Sequence, residues 1–242
     1  MSNLVVEIGN TAVKAALSEG MTLGKTFRYQ GEKRLSFIFS LLSRERPEAA
    51  VIASVSDISA TDERRLRSLC PKLLILDSKH SVALAAYDLP DYLSFDRAAG
   101  IIAARHLFKG RDCVIFDFGT TISIDFLKAE GKYVGGNVSP GLMTRLKSLN
   151  RYSKSLPLVN IPEDVPSAGD TLENSIASGV VSGIMFEIQG YIDLHKDEII
   201  IFTGGDAIYF AKRMKNSIFA ICNLVLLGLA LIIEEYVEKK NE

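Results

Sequence analysis

Two short stretches of this chain carry the residue types that phosphate chemistry asks for. One is Glu7, Ile8, Gly9, Asn10 and Thr11, with Lys14 just beyond; the other is Asp117, Gly119, Thr120 and Thr121. In each, a carboxylate comes just before a glycine turn, and apolar strand-like runs lie on either side, Val5 to Leu17 and Val114 to Leu127. Small turn residues let the backbone approach a phosphate, while amide N–H groups and Thr or Asn side chains donate to its oxygens. The carboxylate can then orient a hydrated cation. Mg2+ keeps several waters and takes one or two carboxylates plus phosphate oxygens, which suits a pair of facing acidic turns. Either stretch alone reads equally as an ordinary hairpin with an acidic turn residue. Shifting the first by 110 positions, however, superposes Glu7 on Asp117, Gly9 on Gly119, Thr11 on Thr121 and Leu17 on Leu127. That register predicts one structural unit used twice.

Further glycine-bearing turns accompany the pair. Phe202-Thr203-Gly204-Gly205-Asp206 reads as a buried strand running into glycines and then a helix, either a nucleotide contact or a plain strand-to-helix turn with Asp206 as cap. Gly135-Gly136 and Ser139-Pro140-Gly141 read as simple turns or as wall residues of a cleft.

The elements that must position these turns follow from periodicity. Strands are predicted at Leu4 to Ile8, Val13 to Leu17 and Leu23 to Tyr29, then a helix near Leu35 to Arg44, a strand from Ala49 to Val55, a helix from Thr61 to Leu69 and a strand from Leu73 to Leu76. A loop around Pro90 leads into a helix from Asp96 to Phe108. The order then repeats: strands near Cys113 to Phe118, Ser123 to Lys128 and Lys132 to Val134, a helix from Leu142 to Asn150, an irregular connection from Pro157 to Gly169, a long helix from Leu172 to His195 and a strand from Ile199 to Phe202. The apolar run Ile218 to Ile233 is shorter than the roughly 20 residues of a membrane span and contains Asn223 and Gly228, so a buried helix is predicted. Two successive units of this order, 1–112 and 113–242, predict an α/β chain with a duplicated ribonuclease H-like fold, the architecture of actin and the sugar kinases, with its nucleotide in the cleft between mixed-sheet halves.

Composition agrees. A chain of 242 residues that is 48% hydrophobic can fill sizeable cores. With 28 basic and 29 acidic residues, net charge −1, no field invites nucleic acid. Cys70, Cys113 and Cys222 have no metal-ligand spacing and read as reduced core thiols of a cytoplasmic protein. No export signal is expected, and His80, His106 and His195 show no ligand spacing.

With these residues in view, the chain resembles the type III pantothenate kinases over nearly its whole length. Their Asp-x-Gly-Asn-Thr pattern is matched by Glu7 to Thr11, with Glu for Asp; their Tyr, Pro and Gly-x-Asp-Arg by Tyr87, Pro90 and Ser94 to Arg97, with Ser for Gly. Asp117 to Thr120, Gly135-Gly136, Pro140-Gly141, the stretch near Thr171 and Thr203-Gly204-Gly205 follow in order. The resemblance implies ATP-dependent phosphorylation of pantothenate at the start of coenzyme A synthesis. It implies Asp96 as general base, with Tyr87, Ser94, Phe95, Arg97 and Thr171 at the substrate. ATP would meet Glu7, Ile8, Gly9, Asn10, Thr11, Lys14, Gly119, Thr120, Thr121, Gly204 and Gly205. Asp117 would bind a monovalent cation, K+ or NH4+, and Glu7 Mg2+ through water. A homodimer is implied as well. From the residues alone, Asp96-Arg97 reads as a helix start favoured by the dipole beside a solvated Arg. Glu7 and Ser94 keep two other classes open, a nucleotide-binding regulatory or accessory protein and a kinase for another small acceptor.

Overall fold

The computed structural model describes residues 2–241. They form two compact units, Met1–Lys109 with Asn223–Glu242, and Gly110–Cys222. The first unit is built on a five-stranded sheet of β1 (Asn3–Ile8), β2 (Val13–Glu19), β3 (Thr22–Tyr29), β4 (Ala50–Ser54) and β5 (Leu73–Leu76), in the order β3-β2-β1-β4-β5. β1, β2 and β3 form an antiparallel meander, and β4 and β5 join parallel to β1. The second unit repeats this pattern with β6 (Cys113–Phe118), β7 (Thr121–Leu127), β8 (Tyr133–Pro140), β9 (Ile199–Gly204) and β10 (Phe219–Ala220), in the order β8-β7-β6-β9-β10. β9 runs parallel to β6, and β10 parallel to β9. The duplication predicted from two hairpins thus extends to whole sheets.

β1 and β6 also share one burial pattern, with every residue buried except the penultimate one, Glu7 or Asp117. Side chains alternate between faces of a strand, so Leu4, Val6 and Ile8 enter the core with α1 (Arg34–Glu45) and α2 (Ala60–Leu69), through Ile38, Leu41, Leu42 and Leu66. Their counterparts Val114, Phe116 and Phe118 enter a core with α4 (Leu142–Tyr152), α5 (Leu172–Leu194) and α6 (Ala207–Ala211). Phe118, Phe202 and Phe210 meet there with ring centroids 4.8 and 5.0 Å from Phe118. The carboxylates therefore lie on the opposite face of their strands.

In the first unit that opposite face carries α3 (Phe95–Leu107) and α7 (Leu224–Asn241), which pack on each other and on the sheet. Their contact is close: a Cβ on Gly228 would lie 1.8 Å from the carbonyl oxygen of Ala99. Polar ties hold α7 as well, because Glu234 accepts from the Asn3 amide at 2.9 Å and the Gly20 N–H at 3.2 Å, and Glu235 accepts from the Tyr87 hydroxyl at 3.1 Å. Hence the last helix lies with the first unit rather than with the expected span 113–242.

Several local expectations change. The run Ile218 to Ile233 is not one helix: it holds β10 and then α7, which continues through the charged residues to Asn241. Gly135-Gly136 and Ser139-Pro140 are not turns but part of β8, whose glycines pair with Phe126 and Asp125 beside a register shift. Residues Ser78–Tyr87, given no element from sequence, form a 3-10 helix capped by Asp77. Cys222 is exposed, in contrast to the buried Cys70 and Cys113, so only two of the three thiols belong to cores.

The two hairpins also differ in length. Ile8 pairs with Val13, but Phe118 pairs with Ile122, so the second turn is one residue shorter. The sequence offset holds through Gly9 and Gly119 and then slips, making Leu17 the equivalent of Phe126 rather than of Leu127, since their partners are Leu4 and Val114.

Candidate active site

The first turn starts where β1 ends at the carboxyl edge of its sheet. Gly9 donates to the Ala12 carbonyl at 3.0 Å and closes the turn, with Asn10 and Thr11 exposed at its tip. Glu7 and Lys14 are cross-strand partners, and Lys14 Nζ lies 3.4 Å from Glu7 Oε2. Beyond this long contact with Lys14, that buried oxygen accepts no hydrogen bond from the described residues. Burial pushes the Glu7 carboxyl above its ordinary value; Lys14 opposes the shift and Asp96 reinforces it. Asp96, at the start of α3, is thus electrostatically coupled to the first turn within the same unit.

Asp96 owes its place to the helix start. Ser94 is the N-cap, Phe95 is buried beneath it, and Asp96 lies in the first turn with its Oδ1 accepting the Arg97 N–H at 2.9 Å. The Ser94 backbone has φ −70° and ψ 151°, extended values open to any residue, so replacing the family's glycine by serine costs no left-handed strain here. Tyr87 ends the 3-10 helix. Its hydroxyl donates to Glu235, and burial first, then that carboxylate, pushes its pKa upward. Its carbonyl accepts from Arg105 of α3.

In the second unit Gly119 donates to the Thr121 carbonyl at 2.9 Å, closing the shorter turn. Asp117 lies beside Thr203 and Phe118 beside Gly204 in the β6–β9 ladder. Gly204 has φ +93°, and a Cβ there would fall 2.4 Å from Asp117 Oδ1 and 2.5 Å from the Phe118 carbonyl oxygen. Only glycine allows β9 to turn this close to the carboxylate. Asp206 N–H then donates to the Phe118 carbonyl at 3.2 Å, seating Gly205 beyond the strand. Thr171 belongs to another element, the start of α5, where its hydroxyl accepts the Asn174 N–H at 3.1 Å.

The residues predicted for chemistry therefore gather into two groups. Glu7 to Thr11, Lys14 and Ser94 to Arg97 belong to the first unit, whereas Asp117 to Thr121 and Gly204-Gly205 belong to the second. Sequence reasoning missed the groups that hold the turns from behind. Arg34, the first residue of α1, donates from Nη1 to the Gly9 carbonyl at 2.7 Å and from Nη2 to the Asn10 carbonyl at 2.6 Å. In the second unit the Thr120 carbonyl accepts from the Gly141 N–H at 3.0 Å and from Thr144 Oγ1 at 2.6 Å. No spacing motif announces contacts 24 or 25 residues apart; only the shared position, at the helix after each meander, could have suggested them.

Among the described residues no three His, Cys, Asp or Glu side chains cluster to hold a metal ion. A wholly protein-made metal cage does not fit this site. The buried Glu7 oxygen, held only by the 3.4 Å contact with Lys14, does fit an ion that keeps its waters and takes its remaining ligands from phosphate. The strand-turn-strand units thus offer turn backbone, hydroxyls and one acidic residue each, the equipment of phosphoryl transfer.

Comparison with known proteins agrees with this chemistry. By its shape the chain is similar to the activator of 2-hydroxyisocaproyl-CoA dehydratase from Clostridium difficile with bound ADPNP, with a TM-score of 0.59, 12% identity and coverage of 100% of this chain and 97% of that one. It is also similar to the ROK hexokinase from Thermus thermophilus, with a TM-score of 0.52, 13% identity and full coverage of both. At such identities the likeness shows the fold, that of the actin-like ATPases. In sequence it is 37% identical over 232 residues to the type III pantothenate kinase of Bacteroides fragilis strain YCH46, covering 94% of this chain and 95% of that one. The profile of the type III pantothenate kinases matches residues 3–194, which include both turns, Asp96 and Thr171, and the chain belongs to that family.

Proposed function

We propose that this chain transfers the γ-phosphoryl group of ATP to the primary hydroxyl of pantothenate, giving 4'-phosphopantothenate, the first committed product on the way to coenzyme A. The observation that carries the reading is the family match across both phosphate turns and the Asp96 helix start. Phosphoryl transfer needs in-line positioning and charge neutralisation more than covalent catalysis. In the first unit the turn at Glu7 to Thr11, with Lys14, serves as a phosphate site; in the second the turn at Asp117 to Thr121 serves as another, with Gly204-Gly205 for the nucleoside. Asp96 accepts the hydroxyl proton, and Arg97 receives the carboxylate end of pantothenate. Tyr87, Ser94, the Phe95 backbone and Thr171 complete that side; Tyr87 reaches substrate by sharing or exchanging its bond to Glu235. The Mg2+ carried by ATP would supply charge neutralisation between the phosphates, with Glu7 binding its water and Lys14 setting the carboxylate's position. Asp117 binds K+ or NH4+. The enzyme acts in the cytoplasm as a homodimer.

The test is a coupled assay of purified protein with ATP, Mg2+ and K+. ATP consumption is expected only when pantothenate is added. Asp96→Asn is expected to lower kcat by about 10²–10⁴-fold while nucleotide binding persists; full activity in that variant removes Asp96 as base. Turnover with a different hydroxyl acceptor and none with pantothenate overturns the assignment of substrate.

A further inference from the structure

Resting on that reading of the first turn as a triphosphate site, we infer that Arg34 is a positioning residue that sets the anion-binding face of the turn from behind. A trans peptide is planar, with its C=O and N–H pointing in opposite directions. Arg34 holds the carbonyls of two successive peptides, Gly9–Asn10 and Asn10–Thr11, at 2.7 and 2.6 Å. The N–H groups on the far sides of those same peptides belong to Asn10 and Thr11. With both carbonyls drawn toward α1, both N–H groups face away from it, and successive N–H groups aimed to one side make a concave anion site. Arg34 suits this task because its planar fork can engage two acceptors at once.

The second unit makes the same arrangement with different chemistry. There the Thr120 carbonyl is held by Gly141 and Thr144 at the start of α4, which turns the Thr121 N–H the other way. Gly141 is needed for so close an approach, since a Cβ there would lie 2.0 Å from the Gly119 carbonyl oxygen. The first turn is one residue longer. A longer turn has more conformations to lose, and its two peptides are held by one charged side chain where the shorter turn needs one carbonyl fixed. In both units the helix after the meander orients the turn.

The experiment is titration of wild type, Arg34→Ala, Arg34→Gln and Arg34→Lys with the MgATP analogue MgAMPPNP, alongside melting curves and steady-state kinetics. Arg34→Ala is expected to weaken analogue binding and raise KM for ATP by about 10- to 100-fold, the loss of two charged hydrogen bonds, while KM for pantothenate changes less than twofold. Lysine and glutamine, each able to hold one carbonyl, are expected to fall between alanine and wild type. Analogue affinity within twofold of wild type in all three variants overturns the inference, as does an equal rise of the KM values for ATP and pantothenate. If Arg34→Ala does not fold, the lysine and glutamine variants decide the matter by the same criteria. Titration needs no turnover, so wild-type protein that binds the analogue but ignores pantothenate would remove the proposed substrate and leave Arg34 tested.

Discussion

Gly228 and Gly100 lie at one helix contact and are expected to respond to alanine with opposite signs. At Gly228 the added Cβ would lie 1.8 Å from the Ala99 carbonyl oxygen, 2.5 Å from its carbon and 2.8 Å from its Cα. All three are backbone atoms, so no rotamer change relieves them. Reaching even 3.0 Å from that oxygen requires α7 and α3 to part by roughly 1.2 Å. Alanine gains about 1 kcal/mol of helix propensity over glycine, but overpacking typically costs about 1–3 kcal/mol and more where nothing can rotate aside. With the cost at the top of that range or above it, the net expectation for Gly228→Ala is a loss of about 2 kcal/mol or more, read as a Tm lowered by about 2–4 °C per kcal/mol. At Gly100 the Cβ meets only Leu224 Cδ2, at 3.9 Å, an ordinary contact. Gly100→Ala should therefore raise stability by up to about 1 kcal/mol. Activity separates the pair further, because α3 begins at Phe95 and carries Asp96. A displacement of about 1 Å at a reacting group can cost about 10²-fold, so Gly228→Ala is expected to lose kcat beyond what its folded fraction explains, and Gly100→Ala to keep it. The assay is thermal melting beside pantothenate-dependent ATP turnover at a temperature where both variants are folded. Equal stability of the two variants, or full kcat in Gly228→Ala, would refute the packing argument.

Two further outcomes follow from the site. Because burial raises the Glu7 pKa above its ordinary 4.5, the folded protein holds that proton more tightly than the unfolded chain, so stability present below about pH 4.5 declines as pH rises through the raised value. Glu7→Gln is expected to flatten that decline, and a difference between the two stability profiles that does not change with pH would contradict it. Gly204→Ala combines a left-handed backbone with contacts of 2.4–2.6 Å to Asp117 and Phe118, and should lose about 2–4 kcal/mol; if Asp117 binds the monovalent cation as proposed, the variant should also respond less to added K+ than wild type, and urea unfolding and a potassium titration of both proteins would check the two outcomes.

Much of this arrangement was legible in the residues, and the reasons are physical. β1 and β6 are apolar on both faces and interrupted by one carboxylate at the same place, so strand, turn and duplication are visible together. α3 follows from small apolar residues at helical spacing. The start of β8 was legible near Lys132 to Val134, but its continuation to Pro140 was hidden because Gly135 and Gly136 remove the alternation that marks a strand, and only the ladder to β7 reveals it. The slip between hairpins was hidden because Thr11 and Thr121 coincide by identity while the pairing is set one residue earlier. α7 is apolar on nearly every side for its first ten residues, so periodicity could not say which sheet it covers. The proposed role of Asp96 rests on family resemblance, and Arg34 was out of reach because its partners are carbonyls, which every residue has.

The return of α7 to the first unit also sets an order of birth. Gly110–Cys222 is one uninterrupted segment, whereas the other unit is opened after Lys109 and resumed only at Asn223. As the chain leaves the ribosome from its N-terminus, the segment made second is the first able to finish folding. The earlier one must wait, its α3 and β1 without their final cover, until the last helix emerges. A chain released after Cys222 would therefore present a protease with a finished later half and an unfinished earlier one, the reverse of the order in which they were made.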